Sequence, residues 1–89
     1  MKGTTKQVKY AKDLLALVEK EYKAFNIDLV DGDVDAIEKG FDKLLNIKDA
    51  STIIYYIKDV KNDRLGLYKT LAMIGGCKAI SKIKMKGCA

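Results

Sequence analysis

The sequence predicts an all-α protein, a compact bundle of four helices followed by a basic C-terminal tail or short fifth helix. Three observations carry that expectation. Apolar residues recur at spacings of three and four along most of the chain. No proline occurs, so the commonest helix breaker is absent. Clusters of Thr, Asp and Asn, the residues that cap helix N-termini, precede each apolar run. At 89 residues the chain holds one modest core, which the pattern assigns to a helical domain over 1–76 with a tail over 77–89.

The first helix starts at Thr4-Thr5-Lys6-Gln7, a capping box in which Thr4 and Gln7 satisfy each other's amides. Val8, Ala11, Leu15, Val18, Tyr22 and Phe25 form its stripe, and Tyr10, Leu14 and Leu17 widen the apolar face. Asn26 to Gly32 is a connector, with Ile27, Leu29 and Val30 expected against the core. Asp31 or Asp33 then starts a second helix, where acids suit the positive dipole end. Its apolar face is Val34, Ile37, Phe41, Leu44 and Leu45, and Gly40 allows a close helix contact.

Asn46 is the expected cap of a third helix carrying Ala50, Ile53, Ile54, Ile57 and Val60. The run Ile53-Ile54-Tyr55-Tyr56-Ile57 also has high strand propensity. A helix is preferred because a cap precedes the run and Ser51, Thr52, Lys58 and Asp59 fall on the opposite face. Asn62-Asp63 caps a fourth helix, Arg64 to Ile74, with Leu65, Tyr68, Leu71 and Ala72 inward. Gly75-Gly76 stops it by supplying a left-handed terminus. In the tail, Cys77, Ile80 and Ile83 sit at helical spacing between lysines, which reads as a short amphipathic helix or a frayed end.

The net charge of +5 is segregated. Residues 1–25 hold six lysines against three acids, residues 26–49 three lysines against seven acids, and the tail four lysines and no acid. Arg64 is the one arginine among seventeen basic residues, so forked readout of guanine by arginine has little material. Nucleic-acid contacts are therefore expected mainly at phosphates. No apolar run approaches the roughly 20 residues of a membrane span. The N-terminus has no apolar stretch of the kind a signal peptide needs. Cys77 and Cys88 read as reduced thiols of a cytoplasmic protein, a tail disulfide or intermolecular pairing being the alternatives.

Without histidine, Ser-His and Cys-His nucleophiles are excluded and zinc is poorly served. No Gly-rich phosphate loop occurs. Asp31-Gly32-Asp33-Val34-Asp35 begins like a calcium loop, but its turn position falls on Ala36, its ninth on Lys39 and its twelfth on Asp42. The expectation is a non-enzyme with no cofactor and no metal, whose acids load a helix start.

Two segments, Thr4-Thr5-Lys6-Gln7-Val8-Lys9-Tyr10-Ala11-Lys12-Asp13-Leu14 and Asn46-Ile47-Lys48-Asp49-Ala50-Ser51-Thr52-Ile53-Ile54-Tyr55-Tyr56-Ile57-Lys58, resemble a short helical module common in proteins of bacteriophages and mobile elements. In that module a short turn joins the two helices; here an acidic helix intervenes. The resemblance implies a setting near nucleic acid or the proteins that handle it, and carries over no catalytic residue.

The leading expectation is an accessory protein that binds nucleic acid, or a nucleic-acid-handling protein, through Lys6, Lys9, Tyr55, Lys78, Lys82, Lys84 and Lys86. The alternative is an anti-CRISPR-like inhibitor of a host defence enzyme, with Asp31, Asp33 and Asp35 mimicking phosphates toward a basic cleft. The excess apolar surface of Tyr10, Leu14 and Leu17 predicts a homodimer.

Overall fold

A computed structural model describes residues 1–24 and 29–86. It is all-α with one small ribbon. The elements in chain order are α1 (Thr5–Ala24), β1 (Val30–Asp31), α2 (Val34–Leu45), α3 (Ala50–Ile57), α4 (Arg64–Ile74), a 3-10 turn (Ile80–Lys82) and β2 (Lys84–Met85). Phe25, Ile27, Asp28 and Cys88 lie outside the described residues.

The capping box forms as the sequence implies. The Gln7 amide donates to Thr4 Oγ1 at 3.1 Å, and the Thr4 amide donates to Gln7 Oε1 at 3.0 Å. Asp33 caps α2 through the Ala36 amide at 3.1 Å, and Asp63 caps α4 through the Gly66 amide at 3.0 Å. The third cap differs from expectation. Asp49, not Asn46, accepts from the Ser51 amide at 3.0 Å and from its hydroxyl at 2.7 Å. These bonds, the hydroxyl first, hold the Asp49 carboxyl below its usual range. Asn46 instead closes α2, its Nδ2 donating to the Asp42 carbonyl at 2.8 Å. The reason is the N-terminal strap. The Lys2 amide donates to the Lys48 carbonyl and the Ala50 amide donates to the Lys2 carbonyl at 2.8 Å, which holds Asp49 in an extended conformation and satisfies an orphan donor of α3.

The helices pair as α2 with α4 and α1 with α3. Gly40 and Gly75 set the first pairing. A Cβ at Gly40 would overlap the Leu71 carbonyl, and one at Gly75 the Ala36 carbonyl. Gly75 therefore serves packing, with φ −77°, while Gly76 alone takes the left-handed turn, at φ 95°. The Tyr22 and Phe41 rings stack with centroids 4.2 Å apart, joining one pair to the other.

The buried face of α1 is Ala11, Leu14 and Val18. Leu15, expected on the stripe, is half-buried, and Leu14 is 3% exposed. In α3, Ile53 is buried and Ile54 half-buried. Val60 lies beyond the helix, on the turn that follows. Leu67 is buried on α4 where Leu65 was expected, and Leu45 and Leu29 are exposed. Accordingly Leu14→Ala should cost about 2–5 kcal/mol and Leu15→Ala visibly less in urea titration. Equal losses would mean that the α1 face is misdrawn.

Over its described residues, 77–86, the tail is neither an α-helix nor a frayed end. After the 3-10 turn, β2 pairs antiparallel with β1, Val30 opposite Met85 and Asp31 opposite Lys84. The Lys86 amide donates to the Leu29 carbonyl at 2.7 Å. Ile83 is 1% exposed and Met85 half-buried, while Lys82, Lys84 and Lys86 face water. That alternation is the two-residue period of an extended chain, not the helical one.

Tyr68 is buried and its phenol is pushed up to about 12, chiefly by burial, with Arg64 opposing. The unfolded phenol ionises near 10.0. Its contribution to stability is thus complete below that value and lost as pH rises toward 12. Urea midpoints should fall across this interval, in step with tyrosinate absorbance. A flat midpoint would contradict the burial of this ring.

Candidate nucleic-acid interface

The basic residues singled out in the sequence occupy two separate places. Lys6 and Lys9 are exposed on the first half of α1, beside the strap that binds Lys2 to the loop before α3. Tyr10, one turn after Lys6 on the helix, is 37% exposed. Lys61, from the turn after α3, lies with its Nζ 5.7 Å from the Tyr10 ring centroid, within cation–π reach. Tyr55 is 73% exposed on α3, held edge-on against Tyr56 at 5.5 Å between centroids.

The second place is the ribbon. Lys82, Lys84 and Lys86 point outward there, with Lys78 exposed just before the 3-10 turn. Register sets Asp31 opposite Lys84, and Asp33 and Asp35 follow at the start of α2. Asp31 of the acidic segment and Lys84 of the basic tail, read from sequence as parts of two surfaces, are therefore neighbours. Opposite charges side by side weaken the field of each at a distance. This tells against the tail as a free basic arm and against the acids as an isolated phosphate mimic. The calcium-like run is also divided between β1 and α2, and among the described residues no cluster of three or more His, Cys, Asp or Glu is placed to hold a metal ion.

The dimer patch changes as well. Leu14 belongs to the protein's own core, so it is not the surface excess it was read to be. Leu17 is half-buried and Tyr10 remains accessible. Leu17 turns toward an open cleft of about 360 Å³ lined by Leu17, Glu21, Lys61, Asn62, Arg64 and Leu67. Sequence reasoning missed this cleft. Its one signal was the position of Arg64, directly after a cap pair, in a chain that otherwise uses lysine.

Physical chemistry explains how the cleft is built. Leu17 and Glu21 are four apart and so share an edge of α1. Asp63, as the cap of α4, fixes the direction in which Arg64 leaves the turn. The Arg64 guanidinium donates to Glu21 Oε2 at 3.3 Å, and Leu67, 1% exposed, forms the floor. Lys61 joins the mouth of the cleft to Tyr10, and thus to the Lys6–Lys9 face. The result is a mainly polar cleft, with two cations, one carboxylate and one amide beside Leu17 and Leu67.

Among the described residues no helix is long and apolar enough to cross a membrane. Compared with protein families, with curated proteins and with solved structures, the chain matches none.

Proposed function

We propose that this chain is a non-catalytic accessory protein of phage or mobile-element type that binds nucleic acid through phosphate contacts on α1. The observation that carries the reading is Lys61 over the accessible Tyr10 ring, with Lys6 one turn before Tyr10 on α1 and Lys9 exposed further round the same half of the helix. Cations attract the backbone and release its counterions, while an aromatic ring gives a base a face to stack on. Tyr55 offers a second such ring on α3. The phage setting rests on the resemblance of the Thr4–Leu14 and Asn46–Lys58 segments to the phage module.

Lys78, Lys82, Lys84 and Lys86 play a lesser part in this reading, because Asp31 lies opposite Lys84. The inhibitor reading, with Asp31, Asp33 and Asp35 as the active surface, is weakened by the same pairing.

The test is a titration of single-stranded DNA and RNA at several salt concentrations. The logarithm of affinity should fall with the logarithm of salt, and changing Lys6, Lys9 and Lys61 to glutamine should flatten the slope by about 0.7 per lysine. The four tail lysines changed together should flatten it less than these three. Absence of any binding at low salt would overturn the proposal, and a larger effect from the tail would move the interface to the ribbon.

A further inference from the structure

We infer that the α1 site takes an unpaired strand in preference to a duplex, with one base stacked on Tyr10 in the place that the Lys61 ammonium holds in the free protein. The inference rests on the nucleic-acid reading above and adds to it the kind of strand bound and the residue that gives way. Tyr10 is 37% exposed, and Lys61 Nζ stands over its ring, 5.7 Å from the centroid. A cation and a nucleic-acid base use the same feature of a tyrosine, its π-face. The two compete for one position.

The competition favours the base once a strand is present. A cation–π contact at an exposed site is the weaker of the two interactions and base stacking the stronger. Lys61 also gains on leaving, because the phosphate beside the stacked base offers its ammonium a full negative charge. Among the described residues no carboxylate stands within ion-pair distance of Lys61, so the ring is what holds it. The movement is confined to one side chain. Lys61 and Asn62 form the corner of a turn that the Asp63 amide closes on the Val60 carbonyl at 3.0 Å. The exposed Lys61 side chain can swing from that corner while the backbone stays in place.

The surroundings of the ring fix where the strand lies. Lys6, one turn before Tyr10, is exposed and puts a second cation on that side. Asp13, nearly one turn after Tyr10, is exposed as well and repels phosphate. The sugar–phosphate backbone therefore passes Tyr10 on its Lys6 side, between Lys6 and Lys61. A duplex meets the same two lysines, but its bases are stacked on one another and must be extruded at a cost before one can reach the ring. Tyr55 is more exposed, at 73%, yet it lies edge-on to Tyr56 and, among the described residues, has no cation over its face. It serves as the control.

The experiment is fluorescence anisotropy of the full chain with three probes of roughly ten nucleotides, within the range of single-fold binding sites. One is a single strand of mixed sequence, one an abasic strand with the same backbone, and one a G·C-rich duplex. The single strand should bind about tenfold more tightly than either of the others. Tyr10→Leu should remove that preference and leave the salt slope unchanged, Tyr10→Phe should keep it, and Lys61→Gln should flatten the slope by about 0.7. Melting curves show whether each variant keeps its fold, and the abasic comparison on the unaltered chain needs no variant. Proton NMR reads the exchange itself. The Tyr10 ring current shifts the Lys61 methylene protons upfield, a shift that saturating single strand should abolish and duplex should leave. Equal binding of all three probes, or a larger loss of preference in Tyr55→Leu than in Tyr10→Leu, would overturn the Tyr10 site and leave the phosphate-binding reading standing. An unchanged Lys61 shift at saturation would overturn the exchange. Absence of binding to every probe at low salt would overturn both readings.

Discussion

Replacing Gly40 with alanine should destabilise the protein by about 3 kcal/mol or more, the largest loss expected from any single added methyl group. The new Cβ would overlap the backbone carbonyl of Leu71. A side chain can rotate away from such a clash, whereas a carbonyl within a helix cannot move without moving the helix. α2 and α4 would separate, and the close pairing that buries Ile37, Leu44, Leu71 and Ala72 would loosen with them. Domains of this size have only about 5–15 kcal/mol in hand. Gly76→Ala is the control. Gly76 has φ 95° and nothing within 4 Å of a built Cβ, so its cost is conformational, about 1–2 kcal/mol. Urea denaturation of both variants decides the matter. A smaller loss at Gly40 than at Gly76 would mean that the helices do not approach as closely as described.

Ile83→Ala should cost about 2–5 kcal/mol, the range for emptying a buried aliphatic site. Ile83 is 1% exposed and lies against Gly32, where a built Cβ would come within 3.0 Å of Ile83 Cγ1. Its neighbours Lys82 and Lys84 face water, so their change to glutamine should move stability by no more than about 0.5 kcal/mol. Hydrogen exchange gives a second measure. The Lys86 amide, bonded to the Leu29 carbonyl at 2.7 Å, should be protected in the wild type and lose protection in Ile83→Ala. A loss below about 1 kcal/mol, with the Lys86 amide exchanging freely, would return the tail to the frayed segment that helical spacing suggested.

The outcome of reading each element turns on whether its information is local. Capping is local: Thr4 and Gln7 lie within one turn of each other and were legible as a pair, while spacing narrowed the caps of α2 and α4 to Asp31 or Asp33 and to Asn62-Asp63, of which Asp33 and Asp63 make the bonds. The choice between Asn46 and Asp49 was not, because it depended on Lys2, more than forty residues away, holding Asp49 extended. The tail shows the limit of periodicity in short segments. Ile80 and Ile83 fit a helix, while Ile83 and Met85 between Lys82, Lys84 and Lys86 fit a strand. Only the presence of Val30 and Asp31 alongside settled it, by supplying hydrogen-bond partners that the tail cannot supply for itself.

The sequence by itself determined the fold class, four helices and their order, most of the caps and the close contact at Gly40. It also marked Lys6, Lys9 and Tyr55 as accessible residues. The tertiary structure decided which of two adjacent residues, Leu14 or Leu15 and Ile53 or Ile54, is buried, because a broad apolar face leaves its own centre undefined until a neighbour packs on it. It decided that Asp31 of the acidic segment lies beside Lys84 of the tail, since strand pairing between residues over fifty positions apart leaves no trace in local composition. It alone assembled the cleft, whose Glu21 and Arg64 come from helices far apart in sequence and meet through the turn that closes α3.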